Sequence, residues 1–318
     1  MRNSKHIMLI LCFIISLGVN SCIDERDNCP NNNLMHVVII AETEETRAAT
    51  YQQTINNSQL YVFDDNGNYV TSATKGKYTS GQEYKFSFNI DPERNYHLAL
   101  WTNLGNEYIP NYTPEQCKTE KPNKIDMQLR FHYPPNKVVT EDIADLHFAF
   151  INNAYVKADV ENVFKLPLIL YTNIIDVKVK GLPQPEANYD LEINDNNARH
   201  TFTHQFANSD PNQGMFTYKR KGKLKDGVIS GTFKTLRLAD GRSPRLSLST
   251  TNSDGTTEVL FAGNLIEMIK KAYPAQTDYS NFFDQTHVFD ITLDFDVDLG
   301  VTVTINGWQF KHQSQIIG

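Results

Sequence analysis

Short segments in which apolar and polar residues alternate follow one another along most of this chain. Typical examples are "YKFSFNI", "YHLALW" and "VTVTINGW", which begin at residues 84, 96 and 301. A period of two places alternate side chains on one face of a β-strand, so the pattern predicts strands with one buried face. Only Leu265 to Tyr273, with Pro274 beyond it, has apolar residues at helical spacing. The sequence therefore predicts an all-β fold with few short helices.

The length of the chain predicts two domains, because 318 residues are more than one hydrophobic core usually serves. The weakest periodicity lies in "NNAYVKADVENV", just before a strong strand pattern that starts at Leu166. We therefore expect an N-terminal domain over 34–163 and a C-terminal domain over 164–318, each an antiparallel β-sandwich. Leu34 to Ala41 is apolar on both alternating faces, which predicts a strand buried between layers.

Residues 1–21 have the pattern of a secretory signal peptide. Arg2 and Lys5 precede an apolar run of about 11 residues, which is too short to span a bilayer. The segment ends in a small residue directly before Cys22 and resembles the lipobox of bacterial lipoproteins. Asn20 departs from that pattern, in which the position two before the cysteine is more commonly a small residue. Cys22 is then the first mature residue and carries acyl chains such as palmitate. The alternative is ordinary cleavage near Ser21, with Cys22 left as a thiol.

The cysteine count supports lipidation of Cys22. Cys12 leaves with the signal, so three cysteines remain, and acylation of Cys22 leaves Cys29 and Cys117 as a candidate disulfide in an oxidising compartment. The alternative is two unpaired thiols. Residues 22–33 are polar and are expected to form a lipidated tether. Acidic residues directly after the lipidated cysteine also resemble a signal for the outer leaflet of the outer membrane.

The charge balance argues against nucleic acid as a partner. Removing 21 of the 318 residues takes away two of the 30 cations and none of the 37 acidic residues, so the mature chain is more acidic than the net −7 of the whole sequence. Nucleic-acid binding needs Lys and Arg to neutralise phosphates. The basic cluster around Lys219 to Lys225 is interspersed with glycines, which favours a solvated hairpin.

The sequence contains none of the usual catalytic or cofactor-binding motifs. His200 and His204 share a strand face but are expected about 13 Å apart, too far for one metal ion. "DDNGN" at 64–68 lacks the glutamate of a calcium loop, and a hairpin turn explains it. We therefore expect no enzyme activity, no cofactor and no metal site.

Five segments, in order, point to one family: "YVFDDNGNY", "YHLALWTNLGN", "DIADLHFAF", "LILYTNIIDVKVKGL" and "VTVTINGW". Together with the lipobox they resemble the FimB-type fimbrial anchor lipoproteins, relatives of the fimbrillins that build type V pili. The resemblance implies transthyretin-like, Greek-key sandwiches, an outer-membrane lipid anchor, a role in filament assembly, and pilus shaft subunits as partners through strand exchange or addition. Within these motifs we expect Trp101 and Trp308 to be core aromatics, and Asn103 and Gly307 to be turn residues.

Arg47 and Ala48, in "EETRAAT", form a candidate processing site. Shaft fimbrillins resemble this segment in having an arginine after their first strand, where proteolysis releases that strand and opens a groove for the next subunit. A terminal anchor has no need of such a groove, so we expect the strand at Leu34 to Ala41 to stay in place. The alternative is a solvent-facing arginine in a turn, with no processing.

Two other functions fit the sequence. A surface glycan- or nutrient-binding lipoprotein predicts an exposed aromatic platform or a pocket with convergent polar groups. A tip or minor adhesin subunit of the same pilus superfamily shares the fold and differs only in its place on the filament.

Overall fold

The computed structural model describes residues 34–40, 55–78, 84–182, 188–207, 214–252, 254–298 and 300–312. In these ranges the chain forms 22 strands and three helices. The strands of the N-terminal half are β1 (Leu34–Ile40), β2 (Ser58–Phe63), β3 (Tyr69–Lys75), β4 (Tyr84–Asn89), β5 (Arg94–Thr102), β6 (Tyr108–Pro110), β7 (Gln128–Phe131), β8 (Val138–Val139), β9 (His147–Val156), β10 (Asn162–Pro167) and β11 (Ile169–Leu170).

The strands of the C-terminal half are β12 (Thr172–Lys180), β13 (Asn188–Asp195), β14 (Arg199–Thr201), β15 (Phe216–Lys221), β16 (Lys223–Lys225), β17 (Val228–Leu236), β18 (Arg245–Thr251), β19 (Thr257–Asn264), β20 (Val288–Phe295), β21 (Val301–Ile305) and β22 (Trp308–His312). The helices are α1 (Pro114–Glu120), α2 (Leu265–Ala272) and α3 (Tyr279–Gln285). The described part of the chain contains no helix with the length and apolar character needed to cross a membrane.

The first sandwich consists of a three-stranded sheet, β10-β1-β4, packed on a five-stranded sheet, β11-β9-β5-β2-β3. Their facing side chains form one hydrophobic core, to which β1 contributes Met35 and Val37 and β5 contributes Leu98 and Leu100. The predicted hairpin between β2 and β3 is confirmed: Asp64 accepts a hydrogen bond from the amide of Gly67, which has a φ of 82°.

The central strands of the five-stranded sheet, β2 and β5, are buried on both faces. Leu60 and Val62 of β2 belong to the first core, whereas Tyr61 and Phe63 face the other way into a second, larger core. Tyr61 packs edge-on against Phe202, with ring centroids 4.8 Å apart. Burial on both faces explains why all six residues of β2 are buried instead of alternating with exposed ones.

The second sandwich pairs a six-stranded sheet, β16-β17-β12-β20-β21-β22, with a five-stranded sheet, β19-β18-β13-β15-β8. Both sheets contribute to the larger core, as do α2 and α3. The predicted helix at 265–273 is confirmed as α2, which is capped by the side chain of Asn264 and buries Leu265, Ile266 and Ile269. The all-β prediction with sandwich domains is confirmed as well.

Two backbone ladders connect the halves of the chain. A small sheet, β14-β7-β6, joins β14 to strands of the N-terminal half, and β8 pairs in parallel with β15. The β1–β10 and β12–β20 pairs are also parallel, so the expectation of purely antiparallel sandwiches is wrong at these three pairs. Distant segments make these pairings, and the local pattern carries no information about their direction.

The predicted boundary at 163/164 falls inside β10, which pairs with β1 of the first sandwich. β11 also pairs within the first sandwich, with β9, and β12 is the first strand along the chain in the six-stranded sheet. We therefore propose a domain boundary at about residue 171, where the chain leaves the first sandwich.

Candidate subunit-binding and anchoring site

The first strand, β1, occupies the centre of its three-stranded sheet. Along one side it pairs in parallel with β10, and along the other it pairs antiparallel with β4. Val37, for example, lies opposite Phe164 in one neighbour and Phe86 in the other. Both edges of the β1 backbone are therefore in use, and β1 separates two strands that do not pair with each other.

β1 buries one face, not both as the sequence pattern predicted. Met35 and Val37 are fully buried in the first core, whereas Leu34 is 41% exposed. On the outer face, His36 Nδ1 lies 2.8 Å from Ser87 Oγ, and His36 Nε2 lies 3.1 Å from Glu161 Oε1. Lys85 completes this cluster at 3.6 Å from the same Glu161 oxygen. The second layer of the sandwich packs on the other side of β1, against Met35 and Val37.

Removal of β1 would open a long slot between β4 and β10. Burial of two side chains such as Met35 and Val37 contributes about 3–6 kcal/mol. Both neighbouring strands would also lose their ladder on one side, which leaves backbone groups unpaired and open to a foreign strand. The slot is therefore costly to keep empty, and it is a candidate site for exchange of strands between subunits.

Four of the predicted site residues, Cys22, Cys29, Arg47 and Ala48, lie outside the described residues. Cys117 lies in α1 and is fully buried. Burial raises the pKa of its thiol to about 11, with the nearby Glu120 and Glu115 adding to the effect. A thiol with such a pKa stays protonated at neutral pH and reacts slowly. The bond between Cys29 and Cys117 stays a prediction.

The motif residues of the N-terminal half meet in one place. Asn103, which follows β5, has a φ of 54° and so makes the turn that the sequence predicts. Its side chain accepts a hydrogen bond from the Asn56 amide at 2.7 Å and donates one to the Asp145 carbonyl at 2.6 Å. Trp101, two residues earlier, is fully buried, and its ring lies 4.3 Å from that of Phe148. These motifs therefore stabilise the fold.

Trp308 is 59% exposed, and the prediction that it is a core aromatic is wrong. It follows the Asn306–Gly307 turn, in which both residues have positive φ, and it begins β22 at the edge of the six-stranded sheet. Its ring centroid lies 6.4 Å from that of Tyr273. Alternation alone predicts which residues share a face, but whether another layer covers that face depends on distant parts of the chain.

A buried polar cluster lies between the two sandwiches. Asp284 pairs with Arg237, and its carboxylate lies 3.3 Å from His204 Nε2. Burial opposes ionisation of Asp284, but the hydrogen bond to His204 and the charge of Arg237 hold its pKa below the ordinary value. His200 is fully enclosed nearby, and burial lowers its pKa to about 3. These groups join β14 and the loop after it to α3 and to the residue directly after β17 through an ion pair and hydrogen bonds.

The basic cluster forms the hairpin that the sequence predicts, with Asp226 and Gly227 at the turn between β16 and β17. Three of its cations have acidic partners: Lys219 and Lys221 contact Asp190 at 2.9 and 2.7 Å, and Arg220 contacts Asp142 at 2.7 Å. Within the ranges that the structure describes, no group of three or more His, Cys, Asp or Glu side chains is placed to hold a metal ion.

Comparison with solved structures shows that the fold of this chain has been seen before. A putative polysaccharide-binding protein from Bacteroides thetaiotaomicron is similar at 19% identity and a TM-score of 0.69, covering 89% of this chain and 99% of that chain. A putative adhesin from the same organism is similar at 21% identity and a TM-score of 0.67, covering 90% of this chain and 99% of that chain. The fimbrial anchor protein Mfa2 from Porphyromonas gingivalis is similar at 20% identity and a TM-score of 0.66, covering 88% of this chain and 99% of that chain.

No curated protein matches the sequence. One family model does match, over residues 26–314, and its description is "Fimbrillin-A associated anchor proteins Mfa1 and Mfa2". That match covers most of the 318 residues. The chain therefore belongs to the Mfa2 family of fimbrillin-A associated anchor proteins.

Proposed function

We propose that this protein is an outer-membrane lipoprotein that holds a fimbrial filament at the cell surface and takes part in its assembly. Membership of the family makes it a non-catalytic, pilus-associated protein. The lipid at Cys22 is our addition, and the signal-like segment 1–21 and the odd number of mature cysteines support it. Several acyl chains on one cysteine give a lasting membrane anchor, whereas a single chain binds only marginally.

The position of β1 carries this proposal. Cys22 lies only 12 positions before Leu34, the first residue of β1. A filament that pulls on a lipid-anchored protein therefore loads β1 along its own axis. The hydrogen bonds to β4 and β10 run across that axis, so they resist the load together instead of opening one by one. A central strand is a suitable attachment for a tether under tension.

This mechanical role requires β1 to stay in the fold. Cleavage after Arg47 would break the covalent link between β1 and the strands that follow it, and the ladders with β4 and β10 and the core contacts of Met35 and Val37 would hold β1 without a covalent bond. A bond between Cys29 and Cys117 would join the tether to α1 covalently and close a loop of about 88 residues, which contributes on the order of 4 kcal/mol. The lipid would then stay attached to the protein even after a cut at Arg47.

We expect contact with fimbrillins at the edges of the sheets. In the described part of the chain, β19 and β22 are edge strands of the second sandwich. Unpaired backbone groups at an edge accept a strand from another chain. Addition of a fimbrillin strand there leaves β1 in place, whereas strand exchange at the β1 slot requires its release.

Metabolic labelling with a fatty-acid analogue tests the lipid anchor. We expect the wild-type protein to be labelled and Cys22→Ala to be unlabelled. Cys12→Ala is the matched control, because Cys12 is removed with the signal and its loss should leave labelling unchanged. Equal labelling of Cys22→Ala and wild type contradicts the proposal.

Intact mass and N-terminal analysis of protein from cells, with and without reductant, tests the retained strand. We expect a chain that begins at Cys22 and a peptide that joins Cys29 to Cys117 before reduction. A dominant species that begins at Ala48 and lacks the tether before reduction contradicts both the retained strand and the disulfide safeguard. Two thiols that alkylate freely without reductant contradict the disulfide alone.

A further inference from the structure

The outer face of the small sheet β14-β7-β6 presents two arginines side by side. Arg130 of β7 lies directly opposite Arg199 of β14, and on its other side it lies opposite Ile109 of β6. All three side chains are exposed, whereas Leu129 and His200 in the adjacent row are buried. The register therefore produces a row of one apolar and two cationic side chains across three strands.

This arrangement is electrostatically unfavourable in the absence of a ligand. Like charges directly opposite each other on antiparallel strands destabilise a sheet. Neither Arg130 nor Arg199 takes part in an ion pair among the described residues, in contrast to Arg220, which contacts Asp142 at 2.7 Å. The chain as a whole carries a net charge of −7, so acidic side chains that could compensate the pair are plentiful in the sequence. A pair of uncompensated arginines on such a protein is typical of a site for an anion.

A cleft of about 390 Å³ lies against this row. The two arginines and Ile109 form part of its wall, and His132 and Tyr133 line it as well. No acidic side chain lines it among the described residues. The ring of Tyr133 stacks on Phe216 at 4.8 Å and 7°, which fixes the position of its hydroxyl. The volume is at the small end of the range for ligand pockets and suits one or two sugar rings.

We propose that this cleft binds a carboxylate-bearing sugar, such as a uronic acid unit of a surface polysaccharide. A guanidinium donates two parallel hydrogen bonds to a planar carboxylate, so the arginine pair recognises the acidic group. His132 and the Tyr133 hydroxyl are placed to bind ring hydroxyls, and Ile109 contacts the apolar face of the ring. The bound carboxylate also relieves the repulsion between Arg130 and Arg199. The proposal stands independently of the anchoring function, because the described residues that line the cleft include none from β1.

Titration of the purified mature protein, containing both domains, with digalacturonate, monitored by calorimetry, tests this site. We expect saturable binding that weakens as salt is added. The neutral analogue, digalactose, should bind at least 10-fold more weakly. Arg130→Gln and Arg199→Gln should each weaken binding of digalacturonate at least 10-fold. Arg94→Gln, which alters an exposed arginine of β5 next to Asp91, is the matched control and should leave binding unchanged.

Thermal unfolding of the same variants tests whether they remain folded. Removal of one of two opposed charges should leave the melting temperature unchanged or raise it, so weakened binding cannot be attributed to unfolding. Equal binding of digalactose overturns the proposal, as does full binding of digalacturonate by both arginine variants. Inorganic phosphate or tetraglutamate that binds as tightly as digalacturonate also overturns it, because the cleft would then be a general anion site or a peptide site.

Discussion

Lys234 Nζ lies 2.7 Å from Asp145 Oδ1 and so joins β17 of the second sandwich to the segment that leads into β9 of the first. Both side chains are about three-quarters buried. Asp145 also accepts a hydrogen bond from Thr172 Oγ1 at 3.2 Å, at the start of β12. One carboxylate next to the first sandwich therefore contacts two strands of the second, β12 and β17.

Asp145→Asn should lower the free energy of unfolding by about 1–3 kcal/mol, because it leaves the partly buried Lys234 without its counter-charge. Urea unfolding monitored by fluorescence measures the change. Glu258→Gln removes an exposed carboxylate on β19 and is the control, with an expected change within about 0.5 kcal/mol. Equal midpoints for the two variants would show that the pair contributes nothing to the junction.

Truncation of the two tryptophans should lower the free energy of unfolding by very different amounts. Trp101→Ala removes a fully buried ring that contacts Phe148 and Tyr171, so we expect a loss of about 3–5 kcal/mol. Trp308→Ala removes a ring that is 59% exposed, so we expect a loss below about 1 kcal/mol. Thermal or urea unfolding of both variants is the measurement. A large loss for Trp308→Ala would contradict its position on the surface.

A comparison of alanine substitutions at Gly181 and Gly241 distinguishes the cost of steric overlap from the cost of backbone strain. Both have a positive φ, of 75° and 76°. A Cβ at Gly181 would overlap the carbonyl oxygen of Phe295, whereas one at Gly241 meets nothing within 4 Å. Gly241→Ala should therefore cost only about 1–2 kcal/mol from strain, and Gly181→Ala should cost more because β20 must also shift. Equal losses in unfolding experiments would contradict the close approach at the end of β12.

Acid should destabilise the protein. Burial lowers the pKa of three histidines below the ordinary 6.5, to about 4 for His147, about 4 for His287 and about 3 for His200. Between about pH 6.5 and 4 the unfolded chain therefore binds more protons than the folded one at these sites, and stability falls as the pH falls. Asp195 acts in the opposite direction, because burial raises its pKa to about 7 and the folded state holds the extra proton.

The loss of stability from the three histidines is larger than the gain from the one aspartate. The free energy of unfolding should therefore be lower at pH 5 than at pH 7 by on the order of 3 kcal/mol. Urea unfolding in buffers of matched ionic strength measures this difference. A protein that is equally stable or more stable at pH 5 would contradict the burial of these imidazoles in their neutral form.

Features that depend on neighbouring residues could be predicted from the sequence. The hairpin at Asp64 to Gly67, the turn at Asp226 and Gly227, and helix α2 all follow from local turn and capping chemistry. The helices α1 and α3 are seven residues each, which is too short for a clear helical period. The capping box of Thr113 and Gln116 was the available signal for α1.

Features that depend on distant residues could not be predicted. The burial of Tyr61 and Trp101 on the second face of their sheet requires the C-terminal half, which supplies Phe202 and Tyr171. The parallel pairing of β10 with β1 likewise joins segments more than 120 residues apart. The opposition of Arg130 and Arg199 has the same origin, since neither residue stands out in its own segment.

The fraction of filaments that remains on cells tests the central claim most directly. Fimbriae are counted on cells by electron microscopy and quantified in cell-free medium, for the wild type, for a deletion strain, and for deletion strains that express Cys22→Ala or the control Cys12→Ala. We predict that the deletion and Cys22→Ala strains release filaments into the medium, whereas wild type and Cys12→Ala keep them on the cell. Filaments that stay on the cell in equal number and length in all four strains would contradict the account.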